Sequence, residues 1–185
     1  MKKISFLIVL SLIVTITGVY AAWNYAQGTS ASVEITREIN MAQVNTDSNK
    51  GSISVTPSNV AFLVDDAGAY VAKLTGTGEF AVTFTASNGA DSTTATNGIK
   101  MIATVTVKSN TGAKYNGTVP ITAKEDNVIV LNNGEATKTA TLTVADIISK
   151  LELMDVTLPT KQDNDNFHNV LKDYTIVITI SEAVA

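Results

Sequence analysis

The sequence contains no cysteine and a single histidine, His168. Without cysteine, disulfide and thioester cross-links are excluded, so stability has to come from a core, a partner or another cross-link such as a Lys–Asn isopeptide bond. With one histidine, neither an HExxH zinc motif nor a three-histidine metal site can form. A Ser-His-Asp triad would depend on His168, which we predict to lie in a surface position or turn. These absences argue against an enzyme.

Aromatic residues and basic charge are also scarce. Aromatic residues make up 6% of the chain, and four of them, Phe62, Tyr70, Phe80 and Phe84, fall at predicted core positions. A carbohydrate-binding platform of exposed aromatic rings is therefore not expected. The net charge of −4 gives no basic surface for nucleic acid. The 45% hydrophobic content is typical of one globular domain, and we predict no cofactor.

The N-terminus has the pattern of a secretory signal peptide. Lys2 and Lys3 precede an apolar run over residues 4–17, and Val19-Tyr20-Ala21 places small residues where signal peptidase requires them. We predict an N-terminal signal helix within residues 1–21, cleavage between Ala21 and Ala22, and a secreted or cell-surface protein. Cleavage leaves 11 basic and 17 acidic residues, a net charge of −6. The alternative is an uncleaved anchor, because residues 4–22 approach the roughly 20 apolar residues of a spanning helix.

The remaining sequence predicts an all-β domain over residues 33–185. Short runs rich in Thr, Ser, Val and Ile alternate with Gly, Asn and Asp clusters, as in half-buried strands joined by turns. Strands so spaced favour two packed antiparallel sheets, a β-sandwich. The predicted strands are 33–41, 52–56, 60–64, 69–74, 79–86, 99–108, 118–124, 128–131, 136–143 and 174–180.

Two of these strands have a clear core face. In FAVTFT, Phe80, Val82 and Phe84 alternate with small or hydroxyl residues. In IATVTV, the face that carries Ala103, Val105 and Val107 alternates with a second face that carries Ile102, Thr104 and Thr106.

One short helix is predicted over residues 144–155. Its apolar residues Ile147, Ile148, Leu151 and Met154 recur at helical spacing, and Thr143 with Asp146 matches a capping pair. An amphipathic helix of this kind more often covers a core than binds a partner, so we assign it no function.

The segment KQDNDNFHN, residues 161–169, is a weak candidate for a calcium loop. Asp163 and Asp165 supply oxygen ligands at alternate positions. However, the segment lacks the glycine at position six and the glutamate at position twelve of an EF-hand, so a polar loop leading into the last strand is favoured. The preceding LPTKQ lacks the glycine and the tail of a cell-wall sorting signal.

The stretch GVYAAWN, residues 18–24, resembles the signal-peptide end of the TasA/camelysin family, exported fibre proteins of Gram-positive biofilm matrices. In that family a Gly-x-aromatic-Ala-Ala-aromatic-Asn pattern is cut between the two alanines by the signal peptidase SipW. Applied here, the cut again falls between Ala21 and Ala22. The resemblance covers about nine residues; the remainder is similar in class only. The chain is shorter than better-known members and lacks their tails.

The resemblance implies a jelly-roll-like β-sandwich that assembles into a homopolymer, with other matrix proteins as further possible partners. The N-terminal extended segment of one subunit, residues 22–32, would complete a sheet of the next, a donor-strand complementation. Trp23 and Tyr25 are two residues apart, so on an extended strand they point to one side as a pair of anchors. The alternative is that they pack as a first strand of their own domain.

Two other functions stay open on the sequence alone. A monomeric, adhesin-like or ligand-binding β-sandwich would not self-associate. A peptidase, suggested by the label that camelysin carries, would need a metal site for which no zinc motif exists.

Overall fold

The computed structural model describes residues 35–38, 43–48, 50–67, 71–86, 99–132 and 139–184. The predicted signal peptide and residues 22–34 lie outside the described residues. These described residues contain ten strands and two helices in the order β1(Ile35–Glu38), β2(Gln43–Asp47), β3(Gly51–Ala67), β4(Val71–Ala86), β5(Ile99–Ser109), β6(Ile121–Ala123), β7(Val128–Val130), β8(Thr139–Thr143), α1(Val144–Ser149), β9(Leu151–Leu153), α2(Lys161–Leu171) and β10(Tyr174–Val184). The expected all-β class is confirmed.

The strands form two four-stranded sheets and one two-stranded sheet. The first sheet has the order β1-β3-β4-β8 and the second has the order β2-β10-β5-β7, while β6 pairs with β9. Every pairing between these strands is antiparallel except that of β2 with β10, which is parallel. The predicted antiparallel pairing therefore holds for all but one of the strand pairs in the described residues, and the parallel strand β2 lies at one edge of the second sheet.

The β3–β4 hairpin is longer than the sequence predicts. Four predicted strands merge into two, because a β-bulge rather than a turn separates 52–56 from 60–64. At the bulge, Asn59 and Val60 lie opposite Gly78, and Asn59 and Gly78 have φ angles of 50° and 96°. The extra residue reverses which face of β3 points inward, so Ile53 and Phe62 are both buried although their numbers differ in parity.

The core lies between the two large sheets. The predicted inward faces are confirmed: Phe80, Val82 and Phe84 of β4 are buried, as are Ala103 and Val105 of β5. The two sheets contribute to one hydrophobic cluster, as expected of a sandwich. Its buried members include Ile53, Phe62, Val64, Phe80, Val82, Phe84 and Leu142 from the first sheet and Met101, Ala103, Val105, Tyr174, Ile176, Ile178 and Ile180 from the second.

The helices differ from the prediction in length and number. Helix α1 begins at the predicted cap, where Thr143 Oγ1 accepts from Asp146 N and Asp146 Oδ2 accepts from Thr143 N. It ends at Ser149, and Leu151 belongs to β9, so the predicted extension to residue 155 was wrong. The longer helix is α2, where a loop was predicted. In the described part of the chain no helix has the length and apolar character needed to cross a membrane.

Candidate assembly surface

The residues predicted for cleavage and assembly, Ala21, Ala22, Trp23 and Tyr25, lie outside the described residues. The surface that could receive them is described, and it lies along the edge of the second sheet. It is formed by β7 and by the part of β5 that extends beyond β7.

The calcium candidates do not form a loop. Asp163 and Asp165 lie in the first turns of α2, whose N-cap is Thr160. Asp163 Oδ2 accepts from Thr160 Oγ1 at 2.6 Å, and Asp165 Oδ2 forms an ion pair with Lys161 Nζ at 2.7 Å. The prediction of a polar loop was wrong. Both carboxylates contact side chains at the N-terminal end of α2. Across the residues described, no cluster of three or more His, Asp or Glu could hold a metal ion.

His168 is buried, so its predicted surface position was wrong. It is 3% exposed on the inner face of α2, where its ring lies edge-on to Phe167 at a centroid distance of 6.0 Å. Phe167 in turn contacts Tyr115 edge-on at 5.2 Å. Asn164, one turn earlier on the same face, is fully buried. These side chains anchor α2 to the core and leave His168 no access to a substrate in solution.

Strand β7 forms an edge of the second sheet with apolar side chains exposed. It pairs with β5 only over residues 102–104. Val128 and Val130 are 44% and 45% exposed, while Ile129 packs against the core. An edge strand has one row of unpaired backbone donors and acceptors, and soluble monomers commonly protect such edges with charge, proline or covering segments. The three residues of β7 include no charged residue and no proline, and within the described ranges no strand pairs with the outer side of β7.

Beside β7, the far half of β5 borders an open cavity, which we call the β5 groove. Its volume is about 390 Å³. The residues that line it are Thr106, Val107, Ser109, Gly112, Lys114, Val119, Ile121, Thr122, Ala123 and Tyr174. Most of these residues are apolar or carry only a hydroxyl group, and Val119 at its rim is 38% exposed. The groove can therefore hold apolar or aromatic side chains.

Backbone N–H and C=O groups of β5 point towards this groove. Leu131 N donates to Met101 O and Val105 N donates to Asn127 O, both at 2.9 Å, so the odd-numbered residues of β5 direct their backbone groups towards β7. Backbone groups alternate in direction along a strand, so those of Val107 and Ser109 point to the same side. Beyond Thr104, no strand of the described part pairs with β5 on that side.

One end of the groove is fixed by Asp173 and Tyr174. The Asp173 carboxylate accepts from Ser109 Oγ at 2.5 Å and from the backbone N–H groups of Thr111 and Ala113. The hydrogen bond from Ser109 holds the pKa of Asp173 below its usual value. Tyr174 Oη donates to the carbonyl of Ala113. These hydrogen bonds link residues 109–113 to the start of β10 beside the groove.

A second lowered pKa lies just before β7. Asp126 accepts from Lys150 Nζ at 2.8 Å, and this hydrogen bond, together with the charge of Lys150, holds the pKa of Asp126 below its usual value. The Asp126 side chain is largely exposed, so the pair contributes little stability. It joins the turn before β7 to the end of α1.

The sequence predicted β7 as a strand but gave no indication that it lies at an edge. Edge position depends on which strands pair, and pairing joins residues distant in sequence. The groove was missed for the same reason, since β5, β6 and β10 all contribute to it. Comparison of the chain with protein-family models, with curated proteins and with solved structures found no match.

Proposed function

We propose that the protein is a secreted, non-enzymatic structural component of the cell surface or biofilm matrix that self-assembles into fibres through β-strands. The observation that carries the proposal is the edge of the second sheet, where exposed Val128 and Val130 lie beside the far half of β5. That half pairs with β10 on one side, and on the other side it pairs with no strand of the described residues. An unpaired apolar edge is a template for a strand of another chain.

The N-terminal sequence supports the same function. The GVYAAWN pattern resembles the TasA/camelysin signal-peptide end, and cleavage between Ala21 and Ala22 would release residues 22–32 with Trp23 and Tyr25 as anchors. In this proposal the released segment of one subunit complements a sheet of the next. SipW-type signal peptidase, further copies of the chain and other matrix proteins are the proposed partners.

We also propose that the sandwich is jelly-roll-like, as the resemblance implies. Support comes from the chain path, which passes from the first sheet to the second between β1 and β2 and back between β2 and β3. The β3–β4 hairpin within one sheet departs from a regular jelly roll.

The second candidate is a monomeric, adhesin-like or ligand-binding module at the cell surface. The β5 groove favours it, because a mostly apolar cavity with backbone groups at its edge is also suited to a small ligand.

The experiment combines N-terminal sequencing of the protein recovered from culture with imaging and light scattering of the same material at neutral pH. The proposal predicts a start at Ala22 and filaments, and it predicts that deletion of residues 22–32 abolishes growth in scattering. A clean monomer that starts at Ala22 would favour the binding module. An intact N-terminus would favour a membrane-anchored form.

A further inference from the structure

We propose that the β5 groove binds a small amphiphilic carboxylate, a single anionic group on an apolar body, and that Lys114 recognises the charge. The proposal rests on the second candidate function, the ligand-binding module, and deepens it by naming the chemical class of the ligand. It is independent of self-assembly, because binding of a small ligand in the groove does not require a second copy of the chain.

The walls of the groove are mostly apolar. Val107, Val119, Ile121 and Ala123 line it together with Tyr174. Ile121 and Tyr174 belong to the hydrophobic core, and Val107 packs against that core, so these parts of the wall are supported from within the sandwich. Preformed apolar cavities of this kind bind ligands by removing apolar surface from water on both sides of the contact. The body of the ligand is therefore apolar.

The size of the groove limits the size of the ligand. Its volume of about 390 Å³ lies at the lower end of the range of about 300–1,000 Å³ for small-molecule sites. At about 30 Å³ for each water-sized group, it holds on the order of a dozen non-hydrogen atoms. The groove therefore fits a fatty acid of medium chain length or an aromatic acid of similar size, and it is too small for a lipid with two acyl chains.

Lys114 gives the groove a positive charge. It is the one charged residue among those that line the groove, and among the described residues it has no ion-pair partner. Asp173 does not line the groove, and its carboxylate already accepts from Ser109 Oγ and from the N–H groups of Thr111 and Ala113. The ammonium group of Lys114 is therefore available to pair with an anionic group of a ligand.

The polar groups at the groove suit a carboxylate better than a phosphate. Phosphate recognition commonly uses the planar guanidinium group of arginine, and the only arginine of the chain, Arg37, lies on β1 and does not line the groove. The backbone N–H groups of Val107 and Ser109 point towards the groove and add donors for carboxylate oxygens. A cationic ligand would meet Lys114 with like charge.

The first test compares probes that differ in one property at a time. Octanoate, octanol and octylamine share one alkyl chain and differ in charge, while hexanoate is an anion shorter by two methylenes. Affinities are measured by equilibrium dialysis against the monomeric fraction of the protein recovered from culture. We expect octanoate to bind at least about fivefold more tightly than octylamine. We expect it to bind about tenfold more tightly than hexanoate, because each buried methylene improves affinity roughly threefold to fourfold.

The second test changes the charge of the groove. Lys114→Gln keeps a polar side chain of similar shape, and we expect it to weaken octanoate binding about threefold to fivefold while octanol binding stays unchanged. Lys73→Gln removes an exposed charge on β4 outside the groove and should leave both affinities unchanged. Val119→Asp should weaken octanoate binding at least about tenfold, because it places a like charge at the wall. Val71→Asp, at an exposed valine outside the groove, is its control.

The outcomes separate this inference from both candidate functions. Equal affinities for octanoate and octylamine, or an octanoate affinity that Lys114→Gln leaves unchanged, would overturn the carboxylate as the ligand class and leave an apolar binding groove standing. Absence of saturable binding of every probe at about 5 mM, where even a millimolar site would fill, would overturn the groove as a ligand site. Self-assembly is tested separately, because filaments of the same protein are imaged without any probe.

Discussion

Phe62 on β3 lies directly opposite Gly76 on β4, and the Phe62 side chain is fully buried. The glycine leaves space on the inner face of the hairpin where α1 also packs. A Cβ atom at residue 76 would lie 2.5 Å from Val144 Cγ1 and 2.5 Å from the Ala61 carbonyl oxygen. The bulge at Asn59 sets this register, since without it Phe62 would face solvent.

We therefore expect Gly76→Ala to destabilise the protein by about 1–3 kcal/mol, because the added methyl group overpacks the contact between the hairpin and α1. The measurement is the free energy of unfolding from denaturant titration. Gly117→Asn is the control, because Gly117 has a φ of 79° with open space around it and asparagine tolerates that conformation. Equal losses in the two variants would contradict the packing role of Gly76.

Local patterns in the sequence predicted the class and several core faces, but not the bulge. The alternation in FAVTFT can be recognised from neighbouring residues alone, and the burial of Phe80, Val82 and Phe84 confirmed the predicted core face. Asparagine and glycine favour turns, yet Asn59 and Gly78 lie at a bulge in the middle of a long hairpin. From sequence alone a bulge of this kind cannot be distinguished from a true turn, because the difference depends on which strands pair.

Helix α2 was missed for a different reason. Its inner face carries Asn164, Phe167, His168 and Leu171, which have the i, i+3, i+4, i+7 spacing of a helix. Two of the four are polar, so no apolar stripe was visible. The cap at Thr160 with Asp163 repeats the pattern of Thr143 with Asp146, and together with the i,i+4 pair of Lys161 and Asp165 it could have indicated the helix.

Asn164 gives a prediction about stability. Its Nδ2 and Oδ1 atoms are buried without a hydrogen-bond partner among the described residues. An unsatisfied buried amide costs about 1–3 kcal/mol, so we expect Asn164→Leu to raise the free energy of unfolding by about 1 kcal/mol or more. The comparison is with Asn166→Leu, an exposed position on the same helix, which corrects for the higher helix propensity of leucine. A net loss of stability at residue 164 would show that the amide is satisfied.

The N-cap of α2 gives a second prediction about stability. Thr160 Oγ1 accepts from Asp163 N at 3.1 Å and satisfies a backbone donor in the first turn. Thr160→Ala should lower the free energy of unfolding by about 1 kcal/mol, whereas Thr160→Ser keeps the hydroxyl group and should lower it by only a few tenths. Chemical denaturation of both variants checks this. If Thr160→Ser were as destabilising as Thr160→Ala, the loss of stability would come from the threonine methyl group and not from the cap hydrogen bond.

The last prediction concerns pH and the rim of the β5 groove. The hydrogen bond from Ser109 Oγ lowers the pKa of Asp173 in the folded state, so the carboxylate stabilises the fold above its unfolded pKa of about 3.9. That contribution is lost as the pH falls from about 5 through the folded-state pKa. Thermal unfolding midpoints should fall less steeply over this range in Asp173→Asn than in the unmodified protein.

Ser109→Ala tests the cause, since removal of the donor should bring the Asp173 pKa back up and move the loss of stability to higher pH. Asp155→Asn, which removes an exposed carboxylate outside the groove, should leave the slope close to that of the unmodified protein. If all three variants gave the same pH dependence, ionisation of Asp173 would not be what stabilises residues 109–113 beside the groove. If the prediction holds, protonation of Asp173 releases residues 109–113 beside the groove, and acid should weaken assembly before it unfolds the sandwich.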